Sequence, residues 1–214
     1  MHEWKLAVTL FLGLGLAARL PAHEITYSAV LSGPAEQPPN SSPGVGAVLI
    51  TWDLDLVTMR VEANFSGLVS TSTAAHIHGL TTAPGSGAAI VATQLPSFPG
   101  FPLGVTAGVY DQTFDMTVAA SYNPAFITAS GGTVSQALNA LIFGMDQGRT
   151  YFNIHTEAFP AGEIRGFITP VPEPAVCILG GVCVSGLSLL ARGQWRQNRR
   201  AVRSGSHTKR IRLT

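Results

Sequence analysis

The central part of the chain, residues 23–174, contains no lysine, no cysteine and only three arginines against eleven acidic side chains. Its formal charge is therefore near −8, which excludes the basic surface that nucleic-acid binding needs. Only 12% of the whole chain is charged and 46% is hydrophobic, which excludes an intrinsically disordered protein. Because this part has no cysteine, a hydrophobic core rather than a disulfide must stabilise it.

The N-terminal segment has the layout of a secretory signal peptide. Lys5 precedes an apolar run over residues 6–18, and the small residue Ala22 follows Pro21. This arrangement predicts a signal peptide over residues 1–22 with cleavage near Ala22, and hence export. A membrane anchor is the weaker alternative, because the run is shorter than the roughly 20 residues that a spanning helix needs.

A second apolar run, residues 175–191, has no charged residue and is followed by a basic segment, residues 192–214. The length is just sufficient for one transmembrane helix, and the arginines predict that its C-terminal end faces the cytoplasm. A buried core helix is the alternative, but a soluble helix seldom lacks a polar face throughout. Both cysteines, Cys177 and Cys183, lie in this run, where we interpret them as apolar side chains.

The residues around the second run resemble a known sorting signal. Val171 is followed by Pro-Glu-Pro, then by the apolar run and an arginine cluster, as in the PEP-CTERM tails of exported bacterial proteins. The resemblance implies processing by an exosortase and delivery to the cell surface or an extracellular matrix. It assigns the sorting signal to Pro172, Glu173, Pro174, Arg192, Arg199 and Arg200. The chain departs from the pattern by continuing from Ala201 to Thr214, and we assign residues 171–214 to this tail.

The remaining residues, 23–170, suit one all-β domain. Short segments of alternating hydrophobicity are separated by Gly, Pro, Ser and Thr, a pattern typical of an antiparallel β-sandwich or barrel. The candidate strands are 25–31, 46–55, 58–65, 74–78, 88–95, 108–118, 151–156 and 163–169. Helical spacing of apolar residues predicts one short helix or turn over 134–143.

Three segments of this domain, 31–39, 65–79 and 151–166, resemble the CHRD domain, first described in the secreted antagonist chordin and also present in bacterial proteins. The resemblance implies an extracellular Ig-like β-sandwich or barrel similar to copper-zinc superoxide dismutase, with no agreed biochemical activity.

Three histidines are candidate metal ligands. His76 and His78 project from one face of a predicted strand, about 7 Å apart, while Ile77 faces the core. His155 could complete a three-histidine site if its strand is a neighbour, and imidazoles suit zinc or copper. In the competing interpretation, which we favour from the sequence, the histidines hydrogen-bond neighbouring loops such as 81–87.

Acidic and basic residues near His155 have predicted roles of their own. Glu157 or Glu163 could orient the second ring nitrogen of His155, and Arg165 is expected to pair with a carboxylate. No histidine lies between His78 and His155, so the further ligands of a copper-zinc dismutase are missing, and no catalytic triad is identifiable.

The sequence therefore predicts a non-enzymatic binding or structural module, anchored by its C-terminal helix and then released to the cell surface or matrix. Its expected partners are an exosortase-type enzyme, the membrane and a surface protein or polysaccharide, and it requires no cofactor. A zinc- or copper-binding domain is the alternative, and a dismutase-like oxidoreductase is a more distant one.

Overall fold

The computed structural model describes residues 23–172. The predicted signal peptide and the apolar run 175–191 lie outside the described residues. So do most of the sorting residues, namely Glu173, Pro174, Arg192, Arg199 and Arg200. Between residues 23 and 172 no helix is long and apolar enough to cross a membrane.

The described part is mostly β, as predicted, and its strands are all antiparallel. The strands are β1 (Glu24–Ser32), β2 (Val45–Asp53), β3 (Thr58–Ser66), β4 (Ser72–Gly79), β5 (Gly108–Asp115), β6 (Thr150–Thr156), β7 (Ile164–Phe167) and β8 (Thr169–Pro170). The helices are α1 (Pro124–Ala129) and α2 (Val134–Asp146), with 3-10 turns at Gly33–Ala35 and Ala119–Ser121. The sheet order is β4-β6-β7-β1-β2-β3-β5, and β8 pairs with β1.

The period of two along β1 and β3 directs one face of each strand into the core. Tyr27, Ala29 and Leu31 of β1 are buried, and β3 buries its own alternate residues in the same way. The strand β2 between them contributes Trp52, which is also fully buried. The sequence places Leu56 and Val57 between two alternating segments, which predicts a hairpin, and this prediction is confirmed because these residues lie in the turn between β2 and β3.

These strands form one hydrogen-bonded sheet that curls into a half-barrel, rather than the two separate sheets of a sandwich. Strand β7 joins β1 through the single registered pair Ser32 and Arg165, and β8 adds a second link to β1. Curling brings the apolar faces of both halves onto one core. There Phe98 stacks on Phe152 of β6 with ring centroids 5.9 Å apart.

The helices pack on this core. The predicted helix begins at Val134 as expected and extends three residues further, to Asp146. Its first turn is capped by the Thr133 side chain, which accepts a hydrogen bond from the backbone of Gln136. Helix α1 was not predicted from the sequence; it has Asn123 as N-cap and a proline in its first turn.

The predicted strand over 88–95 is wrong. This segment runs beside the edge strand β4 as an irregular loop with isolated bridges only. The Thr93 hydroxyl accepts a hydrogen bond from the backbone N–H of Ile77, and both Ala92 and Thr93 donate to the Ile77 carbonyl. A side chain therefore takes one position of the β ladder, which prevents regular pairing. The loop covers the β4 edge beside the candidate histidines.

Candidate metal centre

Strands β4 and β6 are neighbours, which meets the condition that the three-histidine prediction required. They pair antiparallel, with His76 opposite Asn153 and His78 opposite Tyr151. His155 follows two residues after Asn153 and therefore projects from the same face. Ile77 points to the opposite face and is fully buried in the core, as predicted.

The structure brings all three imidazole rings together. The ring centroids of His76 and His155 are 5.2 Å apart, those of His76 and His78 are 5.7 Å apart, and those of His78 and His155 are 5.9 Å apart. One nitrogen from each ring lies within 4.8 Å of the other two. His76 and His78 are buried, and His155 is half-buried.

Each ring uses one nitrogen to hold a loop. The pairs are His76 Nε2 with the Pro96 carbonyl at 2.7 Å, His78 Nδ1 with the Ala89 carbonyl at 2.9 Å, and His155 Nδ1 with the Pro160 carbonyl at 2.9 Å. A carbonyl oxygen can only accept, so each of these nitrogens must carry the ring proton. The hydrogen bonds thereby assign the neutral tautomer of every ring and leave a lone pair on the other nitrogen.

The remaining nitrogens, His76 Nδ1, His78 Nε2 and His155 Nε2, are buried and have no hydrogen-bond partner in the described part of the chain. Leaving one buried polar atom unpaired costs about 1–3 kcal/mol, and here three occur together. Such a cluster requires an explanation, and a cation bound to the three lone pairs satisfies all of them.

The electrostatics keep the rings in their ligating form. Burial lowers the pKa of His76 and of His78 to about 4, and the carbonyl hydrogen bonds only partly offset this effect. Burial also lowers the pKa of His155. All three imidazoles are therefore neutral at neutral pH, and a metal ion does not have to displace a proton from them.

Loop bracing and metal binding, which the sequence analysis treated as alternatives, use different nitrogens of the same rings. The braced loops contain Ala89, Pro96 and Pro160, so the expected segment 81–87 was wrong. Thr81 instead donates its hydroxyl hydrogen bond to the Ala83 carbonyl.

The predicted carboxylate partner of His155 is also wrong, because the Pro160 carbonyl takes that position. Glu163 is fully buried elsewhere, where it accepts hydrogen bonds from the Ser42 and Thr156 hydroxyls at 2.6 and 2.7 Å. Glu157 likewise makes no hydrogen bond with His155. The turn after β6 folds back on His155, so a main-chain oxygen reaches the ring before either side chain does.

A second polar group lies beside the histidines. Arg165 pairs with Glu36 at 3.7 Å, which confirms that this arginine has a carboxylate partner. The Arg165 guanidinium also lies 4.7 Å from the centre of the Tyr151 ring, and Tyr151 stacks on His78 with centroids 4.8 Å apart. The stack fixes the plane of the His78 ring.

Only part of this cluster of Glu36, Tyr151 and Arg165 beside the histidines can be predicted from the sequence. Tyr151, Asn153 and His155 alternate along one strand, which is a local pattern that the sequence shows. Glu36 lies in a loop far away in sequence, and no pattern links it to the histidines. Burial raises the pKa of the Glu36 carboxyl to about 7, although Arg165 acts in the opposite direction.

Comparison with known proteins gives one match. The family model of the CHRD domain matches residues 27–168, well over half of the chain, and the matched range includes all three histidines. No curated protein and no solved structure matches the chain significantly.

Proposed function

Because the chain belongs to the CHRD domain family, we propose that it is an exported, non-enzymatic module that holds one zinc or copper ion. One observation carries the metal assignment. One nitrogen of each of His76, His78 and His155 lies within 4.8 Å of the other two, and each ring has one buried, unpartnered nitrogen while its other nitrogen donates to a main-chain carbonyl.

The donor chemistry supports zinc or copper over the alkaline-earth ions. Three neutral imidazoles are ligands that zinc and copper accept, whereas calcium and magnesium prefer oxygen. The carbonyls behind the rings are the usual outer partners of ligating histidines, and they fix the ring orientation before the ion arrives. A bound ion would tie β4 and β6 to the three loops that carry those carbonyls.

The non-enzymatic assignment rests on the composition of the site. Among residues 23–172 the three histidines are the only group of side chains arranged to hold a metal ion. A copper-zinc dismutase needs further histidine and aspartate ligands. We therefore do not infer dismutase activity from a resemblance to that fold. The proposed role is structural, with the loops of the domain available to a surface protein or polysaccharide.

Export and sorting form a separate part of the proposal, supported by the sequence and by the family, whose members are assigned to secreted and extracellular proteins. The apolar run 6–18 would direct secretion. The run 175–191 would hold the chain in the membrane until an exosortase acts near Pro172, Glu173 and Pro174. The domain would then reach the cell surface or matrix.

The test of the metal assignment is elemental analysis of the purified full chain. We expect close to one zinc or copper per chain, a loss of that metal in His78→Ala, and no change in His23→Ala, which alters an exposed histidine outside the cluster. Chelator should lower the melting temperature of the wild type and of His23→Ala only. A ligand at a hundredfold excess over its Kd stabilises the native state by about 2.7 kcal/mol. A metal-free wild type whose melting does not respond to zinc or copper would refute the proposal.

A further inference from the structure

A fourth buried polar side chain shares the strand face of the histidines. Asn153 lies on β6, directly opposite His76 on β4 and two residues before His155. Its side chain is 2% exposed, and Oδ1 has no hydrogen-bond partner within residues 23–172. The amide oxygen is therefore a fourth buried, unpaired ligand atom on the strand face that carries the three imidazoles.

The neighbours of Asn153 determine which end of the amide faces the histidines. On one side lies His76 of β4, and on the other lies Arg165 of β7, which pairs with Glu36. Asn153 Nδ2 and Glu36 Oε1 both lie against the backbone of Gly162, on the side of β7. Since a carboxylate accepts hydrogen bonds, Nδ2 must face Glu36, which leaves Oδ1 toward the rings.

The absence of a side chain at Gly162 allows this arrangement. Its backbone has φ of +132°, and a Cβ there would lie 2.7 Å from Asn153 Nδ2 and would also overlap with Glu36 Oε1. Glu36 and Asn153 therefore flank the bare backbone of Gly162 closely. The packing holds the amide in one orientation.

The surroundings of the four donor atoms are dry. His76 Nδ1, His78 Nε2, His155 Nε2 and Asn153 Oδ1 are all buried from solvent. Structural zinc sites are closed by four protein ligands, whereas catalytic sites keep one position for water or substrate. A site whose ligand atoms are all buried from water is therefore of the closed, structural type.

From this geometry we infer that Asn153 Oδ1 is the fourth ligand, so that the chain holds its ion in a closed site of three imidazoles and one amide oxygen. The inference rests on the proposed function, because it assumes that the histidines bind a metal. It adds the fourth ligand and the class of site, which is structural and closed to exogenous anions.

The experiment uses the full chain loaded with one equivalent of Co²⁺ and titrated with azide, which binds cobalt only where a coordination position is free. We expect the absorption spectrum of the wild type to be unaffected by azide. Asn153→Leu should bind Co²⁺ at least about tenfold more weakly and acquire an azide-dependent spectrum. Asn64→Leu, a change at an exposed asparagine of β3, should behave as the wild type.

A second measurement needs no variant at this position. In the ¹⁵N-labelled full chain, addition of Zn²⁺ should shift the side-chain amide resonance of Asn153 strongly. It should leave that of Asn123 in place, because the Asn123 amide is already bonded to the Val91 carbonyl and the Ala125 N–H. This comparison decides the question even if Asn153→Leu fails to fold.

The outcomes separate this inference from the proposed function. An azide-sensitive wild-type spectrum, an Asn153→Leu variant with wild-type affinity, or an unmoved Asn153 resonance in zinc-loaded chain would overturn the fourth ligand while leaving the histidine site intact. A wild type that binds neither Co²⁺ nor Zn²⁺ would overturn both.

Discussion

Acidification should destabilise the metal-free chain, because its buried histidines resist protonation. Burial holds the pKa of His76 and of His78 at about 4, whereas an unfolded histidine titrates near 6.5. Between these two values the unfolded chain binds protons that the native chain does not. The free energy of unfolding must therefore fall as the pH falls through this window.

The expected magnitude follows from these values. A pKa that is lowered from 6.5 to about 4 corresponds to about 3 kcal/mol for each of His76 and His78. Glu36 acts in the opposite direction, because its pKa is raised from 4.5 to about 7 and the native state therefore holds a proton that the unfolded state releases. This gain in stability on acidification is about as large as the loss caused by one of the two histidines. The net loss of stability between pH 6.5 and pH 4 is at least about 3 kcal/mol, because the lowered pKa of His155 acts in the same direction as those of His76 and His78.

Urea unfolding of the full chain in the presence of chelator, at pH 7, 6, 5 and 4, measures this loss. His78→Gln should reduce the loss by about 3 kcal/mol, and Glu36→Gln should increase it by a similar amount. His23→Gln, at an exposed position outside the cluster, should leave it unchanged. A stability that stays level from pH 7 to 4, or a His78→Gln chain with the wild-type pH dependence, would refute the argument.

Three further changes test other parts of the structure. Gly162→Ala should cost at least about 2 kcal/mol more in urea unfolding than Gly100→Ala, because both have positive φ but only the first Cβ meets other atoms. Equal costs would show that Glu36 and Asn153 do not enclose Gly162. Arg165→Lys should lower the thermal stability by about 2 kcal/mol, since lysine loses the stack on Tyr151 and the paired donors of the guanidinium, and an unchanged melting temperature would contradict this role. Glu173→Ala should leave full-length protein in the membrane where the wild type loses its tail, and identical processing on an immunoblot would rule out the sorting motif.

The alternation of apolar and polar residues along the chain correctly predicted which strand faces are buried. The faces of β1 and β3, and the common face of His76 and His78, follow from the period of two along a strand. The same rule failed for 88–95, whose composition suits a strand. There the Thr93 hydroxyl occupies a ladder position that only the folded structure reveals.

Long-range contacts could not be predicted from the sequence. Glu36 meets Asn153 and Arg165 because the loop after β1 folds over β6 and β7, and neither spacing nor composition indicates that approach. The two halves of the curled sheet meet at the single pair between Ser32 and Arg165 and at the short pairing of β8 with β1. The carbonyl partners of the histidines are main-chain atoms, so no residue type could have identified them.

The measurement that tests the metal site most directly is a long-range ¹H–¹⁵N correlation spectrum of the histidine-labelled full chain, before and after one equivalent of Zn²⁺. The metal-free spectrum should show the proton on Nε2 of His76 and on Nδ1 of His78 and His155, as their carbonyl partners require. Zinc should then shift only the opposite nitrogen of each ring, with the His23 resonances unchanged. Different tautomers, or no shift at these three nitrogens when Zn²⁺ is added, would contradict the three-histidine site.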